Sequence, residues 1–154
     1  VKEGIEPRFA FGFGLTYTEF EYSGLVVDVD TTATASRLPP KPEIVLQGGI
    51  DSLWDEVARV RCTVENVGDV GAKEVAQLYI GIPGGPDKVL RGFEKQLLTP
   101  DEQGVFEFVL TRRDLSTWNV VEQMWELQRG SYQIYVGKSV TDLPLTGNLE
   151  IVEV

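Results

Sequence analysis

No histidine occurs in the 154 residues, and Cys62 is the sole cysteine. The first absence removes Ser–His and Cys–His nucleophile pairs, imidazole general bases and imidazole metal ligands together. The second permits no internal disulfide and no thiolate cluster for zinc. Positive charge is also short: 14 Lys and Arg stand against 24 Asp and Glu, a formal net charge of −10. Phosphate backbones and anionic membranes repel such a surface, so neither nucleic acid nor membrane is an expected partner. No apolar run approaches the roughly 20 residues of a membrane span. The opening VKEGIEPRF lacks the apolar stretch and small-residue cleavage site of a signal peptide. A secreted protein would therefore have lost its signal already, or this is an internal piece of something longer. Asn66, Asn119 and Asn148 all lack the hydroxyl two residues on that glycosylation requires. Carboxylate chemistry is what remains, with no cofactor and no metal expected.

What is present is a series of short strands. The length suits one domain that buries about two-thirds of its unfolded surface. In EVARVRCTVEN, Ala58, Val60, Cys62 and Val64 alternate with Arg59, Arg61 and Thr63, the period-two mark of a half-buried strand. EVAQLYIGI sets Ala76, Leu78, Ile80 and Ile82 against Gln77 and Tyr79. QGVFEFVLT aligns Phe106, Phe108 and Leu110, and SYQIYVG aligns Tyr132, Ile134 and Val136. Phe20 to Val29 reads as a first strand, and Leu149 with Ile151 marks the last. Turn signals separate them: NVGDVG, IPGGPD and TPDEQ. TRRDLSTWN suits one short helical turn, with Thr111 or Asp114 as its cap. No segment sustains a 3.6 period. About seven antiparallel strands with frequent turns describe an all-β sandwich of immunoglobulin or fibronectin type III style. The absent cysteine pair argues against an antibody-type domain.

The remaining features carry competing readings. Asp30 to Asp51, rich in Thr, Ala, Ser and Pro, exceeds the about 12–15 residues usual for a loop. It reads either as a mobile insertion or as a segment docking on another surface, with EIVLQ pairing briefly as an edge strand. Glycosidases use two carboxylates about 5–9 Å apart. Yet Asp55, Glu56, Asp101, Glu102 and Glu122 sit in or beside predicted turns, where solvated charge is the default, so no catalytic residue is assigned. Cys62 reads as a buried, inert thiol. Trp118 and Trp125 flank WNVVEQMW, a hairpin-like stretch, and core packing is expected of them rather than a sugar-stacking platform. Arg91 in LRGFEK is placed to pair with a carboxylate and pin a strand.

One segment fits none of this. PRFAFGFGLTYTEFEY puts Phe9, Phe11 and Phe13, three of the seven phenylalanines, within five residues. An extended chain would project all three rings to one side. Gly12 and Gly14 would leave the other side bare for close backbone approach.

Several strings together resemble one family. PRFAFGFGLTYTEFEYSGL is similar to the join leading into the C-terminal fibronectin type III-like domain of glycoside hydrolase family 3 β-glucosidases. VENVGDVGAKEVAQLYIG resembles that domain's N-x-G-x-x-G-x-x-E-V-x-Q-L-Y strand pair, through Asn66, Gly68, Gly71, Glu74, Val75, Gln77, Leu78 and Tyr79. LRGFEK, LTRRDLSTWN and SYQIYVGKS with DLPLTG follow in the family's order, so the resemblance covers nearly the whole chain. It is nearest to the fungal secreted enzymes. The family usually has Ser where Thr16 stands, Asp where Asn119 stands, and Pro-Gly where Pro100 precedes Asp101; these are local departures.

The resemblance implies a fragment: residues 1–17 as an interdomain linker and docking segment, and 18–154 as the sandwich. In the family the nucleophilic Asp and the acid/base Glu lie on domains that precede this segment, so neither maps here. The expected role is a non-catalytic accessory domain of an extracellular enzyme that cleaves terminal β-D-glucosyl residues from cello-oligosaccharides and other β-glucosides. Its partners would be the preceding catalytic domains of the same polypeptide, against which Phe9, Phe11, Phe13, Leu15 and Tyr17 would dock. The rivals are a carbohydrate- or lignin-adsorbing module, which needs coplanar exposed aromatics, and an independent hydrolase, which needs a pocket with paired carboxylates.

Overall fold

The computed structural model describes residues 7–32, 36–39 and 45–152. Its strands, in chain order, are β1 (Phe20–Val29), β2 (Val45–Leu46), β3 (Gly49–Ile50), β4 (Glu56–Asn66), β5 (Ala72–Gly81) and β6 (Val89–Leu98). They continue with β7 (Gln103–Thr111), β8 (Ser116–Asn119), β9 (Met124–Leu127), β10 (Gly130–Gly137) and β11 (Leu145–Ile151). A three-stranded sheet in the order β1-β4-β7 faces a four-stranded sheet in the order β11-β10-β5-β6. Every pairing is antiparallel. This is the all-β, fibronectin type III-like sandwich that the alternation predicts.

The core is the sum of the inward faces. Val60, Cys62 and Val64 of β4, Leu78 and Ile80 of β5, Phe106 and Leu110 of β7, and Tyr132, Ile134 and Val136 of β10 are all buried. On β1 the inward positions change parity. Ser23 pairs with Thr63 but Val26 pairs with Arg61, a bulge that contains Gly24 at φ +63°. Phe20 and Tyr22 face inward before it, and Leu25, Val27 and Val29 pack on the core after it. An inserted residue resets which side of the pleat is buried.

β6 is the strand that alternation does not reveal. Its outward positions carry Phe93, Lys95 and Leu97, while Glu94 and Gln96 are half-buried on the other side. These two polar chains serve the free edge of β7. The Glu94 carboxylate accepts the Glu107 N–H at 2.7 Å, and the Gln96 amide donates to the Val105 carbonyl at 2.7 Å. β6 thereby covers an edge that would otherwise be open to pairing.

The long connection between β1 and β4 is tied to its own domain. Arg112 donates to the Ser36 carbonyl, Leu127 N–H donates to the Arg37 carbonyl at 3.0 Å, and Arg37 pairs with Glu126 at 2.7 Å. Val45 and Leu46 pair with Ile50 and Gly49 in a separate two-stranded ribbon rather than along a sandwich edge. A 3-10 turn at Asp51–Trp54 follows, with Leu53 buried. The helical turn expected after β7 is the 3-10 turn Arg112–Leu115, where the Asp114 carboxylate accepts both the N–H and the hydroxyl of Thr111. Tyr132 locks the same corner, its single hydroxyl proton shared between the carbonyls of Leu115 at 2.6 Å and Gln128 at 2.9 Å.

Candidate functional site

The outward face of β5 is not a solvent face. Gln77 and Tyr79 are buried although both alternate with the core positions Leu78 and Ile80. What covers them is the glycine-jointed opening segment. The Gln77 side-chain amide donates to the Gly12 carbonyl at 2.9 Å and to the Lys138 carbonyl at 2.6 Å. The Tyr79 hydroxyl donates to the Gln77 side-chain carbonyl at 2.7 Å, and Val140 N–H donates to the Phe11 carbonyl at 3.0 Å. Burial raises the Tyr79 phenol above its ordinary value. The polar groups under the segment are thus used up in holding it.

The segment is not extended. Phe13 N–H donates to the Ala10 carbonyl at 3.0 Å, closing a turn whose third residue, Gly12, has φ +79°. That position favours glycine because it lies in the left-handed region. A side chain is also excluded there, since a Cβ on Gly12 would lie 2.0 Å from the Gln77 oxygen. The turn overturns the expectation of three rings on one side. Phe9 and Phe13 flank it and stack on each other at 5.2 Å, while Phe11 meets Tyr79 edge-on at 6.5 Å.

The rings nevertheless stay largely in solvent. Phe11 is 65% exposed, and beyond the turn Leu15 and Tyr17 are 91% and 97% exposed. Phe93, paired with Gln77 across the sheet, adds a 70% exposed ring to the same face. Sequence reasoning did not single it out, because its strand has no apolar alternation to mark it. The structure therefore gathers Phe9, Phe11 and Phe13 with Phe93 on one side of the four-stranded sheet.

The carboxylates singled out from sequence do not converge. Glu56 pairs with Arg59, Glu102 accepts the N–H and hydroxyl of Thr99, Asp101 occupies a turn at φ +62°, and Glu122 is exposed in the β8–β9 connection. The Thr99 hydrogen bonds hold the Glu102 carboxyl below its usual value. Asp55 lends its backbone carbonyl to Arg112 N–H. Among the described residues the buried carboxylate is instead Glu74, which accepts from the Tyr22 hydroxyl at 2.6 Å and so links the two sheets. Burial, then the Glu74 hydrogen bond and charge, push the Tyr22 phenol far above its ordinary value. Extending the Ala76–Leu78–Ile80 frame back by two residues would have placed Glu74 inside. Among the described residues no group of three or more His, Cys, Asp and Glu is arranged to hold a metal ion.

Cys62 is buried as expected, and its thiol is pushed up to about 11 by burial first and the Glu94 charge second. The tryptophans are not core residues. Trp118 and Trp125 do pair across the β8–β9 ribbon, but Trp118 is 45% exposed, Trp125 is half-buried and Trp54 is 50% exposed. The ribbon pairs with neither main sheet, and its two rings line a surface pocket with Pro39, Ile50 and Leu53 rather than the sandwich core.

A sequence model of the fibronectin type III-like domain matches residues 74–140. Over 150 residues the chain is 53% identical to the probable beta-glucosidase M of Aspergillus niger, covering 97% of this chain and 19% of that protein. The solved structure of a beta-D-glucoside glucohydrolase from Trichoderma reesei superposes with a TM-score of 0.88 at 41% identity, covering 98% of this chain and 21% of that one. A glycoside hydrolase family 3 beta-glucosidase from Neurospora crassa superposes with a TM-score of 0.79 at 28% identity, over 90% of this chain and 25% of that one. The chain thus spans about a fifth of the length of the curated relatives it matches.

Proposed function

Because this chain belongs to the fibronectin type III-like domains that glycoside hydrolase family 3 β-glucosidases carry, we propose that it is the non-catalytic module of such an enzyme and stabilises the catalytic domains by packing against them. The enzyme would be secreted and would cleave terminal β-D-glucosyl residues from cello-oligosaccharides and other β-glucosides. Residues 1–17 would form the joint and 18–154 the module. The observation that carries this reading is the cap on β5. Its backbone is fixed by Gln77 and Val140, while Phe11, Leu15 and Tyr17 remain open to a second surface. Fully covering such a ring contributes about 1.5–3 kcal/mol before ordering costs.

The test is Phe11→Ala and Tyr17→Ala, each made in the longer enzyme and in this chain alone. Tyr17→Ala should leave the melting temperature of the chain alone unchanged, since the ring is almost fully exposed in it. Both substitutions should lower that of the enzyme while turnover of bound substrate stays nearly unchanged. A melting temperature that holds while turnover falls strongly would place the segment in the active site and not in the joint.

A second reading, adsorption to polysaccharide or lignin, draws on the exposure of Trp54 and Trp118. Trp118 and Trp125 lie at 70° to each other, which is no flat platform. Pull-down on insoluble cellulose should match an acidic control protein; retention lost on Trp118→Ala would promote this reading above the first.

A further inference from the structure

The cations of this chain are unevenly engaged. Arg37, Arg59 and Arg61 make the four ion pairs found among the described residues. Arg91, which its motif placed to meet a carboxylate, is not one of them. Leu78 and Tyr79 of β5 face Gly92 and Leu90 of β6, so Arg91 is the extra residue of a bulge, and its Nε is buried. Lys88 lies over the Tyr135 ring at 4.9 Å. The other three described lysines, Lys73, Lys95 and Lys138, all line one open pocket of about 340 Å³. Among the described residues none of the three enters an ion pair or lies over an aromatic ring.

Strand register brings them together. On the outward side of the four-stranded sheet Lys73 of β5 faces Leu97 of β6, and Val75 faces Lys95. Lys73 and Lys95 are therefore diagonal neighbours on one face, a spacing of about 7–8 Å that long side chains span. Lys138 follows β10, and its carbonyl accepts the same Gln77 amide that holds Gly12. The carboxylates next to these lysines in sequence are turned away and engaged. Glu74 accepts the Tyr22 hydroxyl on the inner side of β5, and Glu94 accepts the Glu107 N–H. Three cations thus share one concavity on a chain whose net charge is −10. A cleft lined by one sign of charge focuses the field and draws in the opposite sign.

The opening segment forms the facing wall of this pocket, through Phe13 and Leu15. Leu15 is almost fully exposed, so the lysines adjoin the apolar groups left open on the same side of the domain. We propose that Lys73, Lys95 and Lys138 form a docking site for carboxylate side chains carried by the catalytic part of the longer enzyme. The site rests on the reading of the chain as a module that packs against those domains. Leu15 and Tyr17 supply apolar area to that contact. The lysines supply its register, because opposite charge is drawn to them and like charge is repelled.

Zero-length carbodiimide coupling in the longer enzyme tests this, since it joins an amine only to a carboxylate in contact with it. Mass spectrometry of the digest should find Lys73, Lys95 or Lys138 joined to an Asp or Glu of the catalytic domains. Changing that acid to its amide should lower the melting temperature of the enzyme by a few degrees, less so at high salt. Lys73→Gln with Lys95→Gln should do the same, and combining both changes should cost less than their sum. Coupling of these lysines only within this domain, or to nothing, would overturn the site, as would a melting temperature that neither change moves. Acetate or phosphate that stabilises the enzyme but not its lysine variant, with no coupling to the catalytic domains, would make the ligand a soluble anion and the proposal wrong. Loss of stability with Phe11→Ala and Tyr17→Ala but no such coupling sinks only the lysine site. Coupling without that loss keeps the lysine site and sinks the aromatic joint.

Discussion

The side-chain amide of Gln77 donates to the carbonyl of Gly12, 65 positions earlier in the chain, at 2.9 Å. A single buried amide thereby joins the opening segment, the β10–β11 connection through Lys138, and the Tyr79 hydroxyl. Gln77→Met keeps the bulk and removes all three bonds. It should cost about 1–3 kcal/mol in urea unfolding, because the partners stay buried and unpaired. Amide exchange at Phe13 and Val140 should quicken in the same variant. Unchanged exchange at both would mean that the cap is held by something other than Gln77.

The two glycines of the cap should behave oppositely. Gly12→Ala meets the Gln77 oxygen at 2.0 Å and a backbone at φ +79°. It should open the turn, speed proteolysis between Phe9 and Leu15, and cost more than about 1 kcal/mol. Gly14 has no heavy atom within 4 Å of an added Cβ. Gly14→Ala should therefore be neutral or stabilise by up to about 1 kcal/mol. Equal effects in urea titrations would refute the turn.

Asn66 holds the start of the sandwich. Its side-chain oxygen accepts from the Thr18 hydroxyl at 2.6 Å and Gly68 N–H at 3.2 Å, and its amide donates to the carbonyls of Val70 at 2.9 Å and Leu98 at 3.0 Å. Asn66→Ala leaves the Leu98 carbonyl without this partner in a buried place and the Thr18, Gly68 and Val70 groups without it in partly buried ones. A loss of about 2–4 kcal/mol is expected by denaturant unfolding. A loss under about 1 kcal/mol would show that water reaches the site.

Cys62 gives the alkaline behaviour a sign. The folded thiol ionises at about 11 against an ordinary value of 9.0. The unfolded state then releases its proton first, so stability is complete below about pH 9 and falls as pH rises from there to about 11. The buried phenols of Tyr22 and Tyr132, also raised, add to the fall from pH 10 upward. Cys62→Ala should remove the part of the slope below pH 10, and native thiol labelling should be slow until denaturant is added. Rapid native labelling would require β4 to be shifted by one residue.

Buried and exposed polar contacts should separate cleanly. Tyr132→Phe deletes the donor shared by Leu115 and Gln128 and should cost about 1–3 kcal/mol. Arg59→Ala removes surface pairs to Glu56 and Glu107, and exposed pairs are worth about 0–1 kcal/mol. Thermal unfolding at two salt concentrations checks both; a larger loss for Arg59→Ala would reverse the ranking.

Much of the fold was legible locally. The alternation of Val60, Cys62 and Val64 placed the core face of β4, and Phe20–Val29 was readable as a strand to its ends. The Thr111–Asp114 cap and the Trp118–Trp125 pairing were also visible, because both depend on residues close in sequence. The composition by itself removed imidazole and disulfide chemistry.

Only the tertiary structure decided what covers what. Gln77 and Tyr79 read as a solvent face, yet a segment some 65 positions away lies over them. Glu94 and Gln96 broke the pattern of β6 because they serve the edge of β7. Trp118 carried a core residue's chemistry on a ribbon that pairs with neither main sheet. Arg91 left the pleat at a bulge that no local pattern encodes. A period of two reports that a strand has two faces. Which face is buried, and by which distant backbone, depends on contacts whose partners the period does not name.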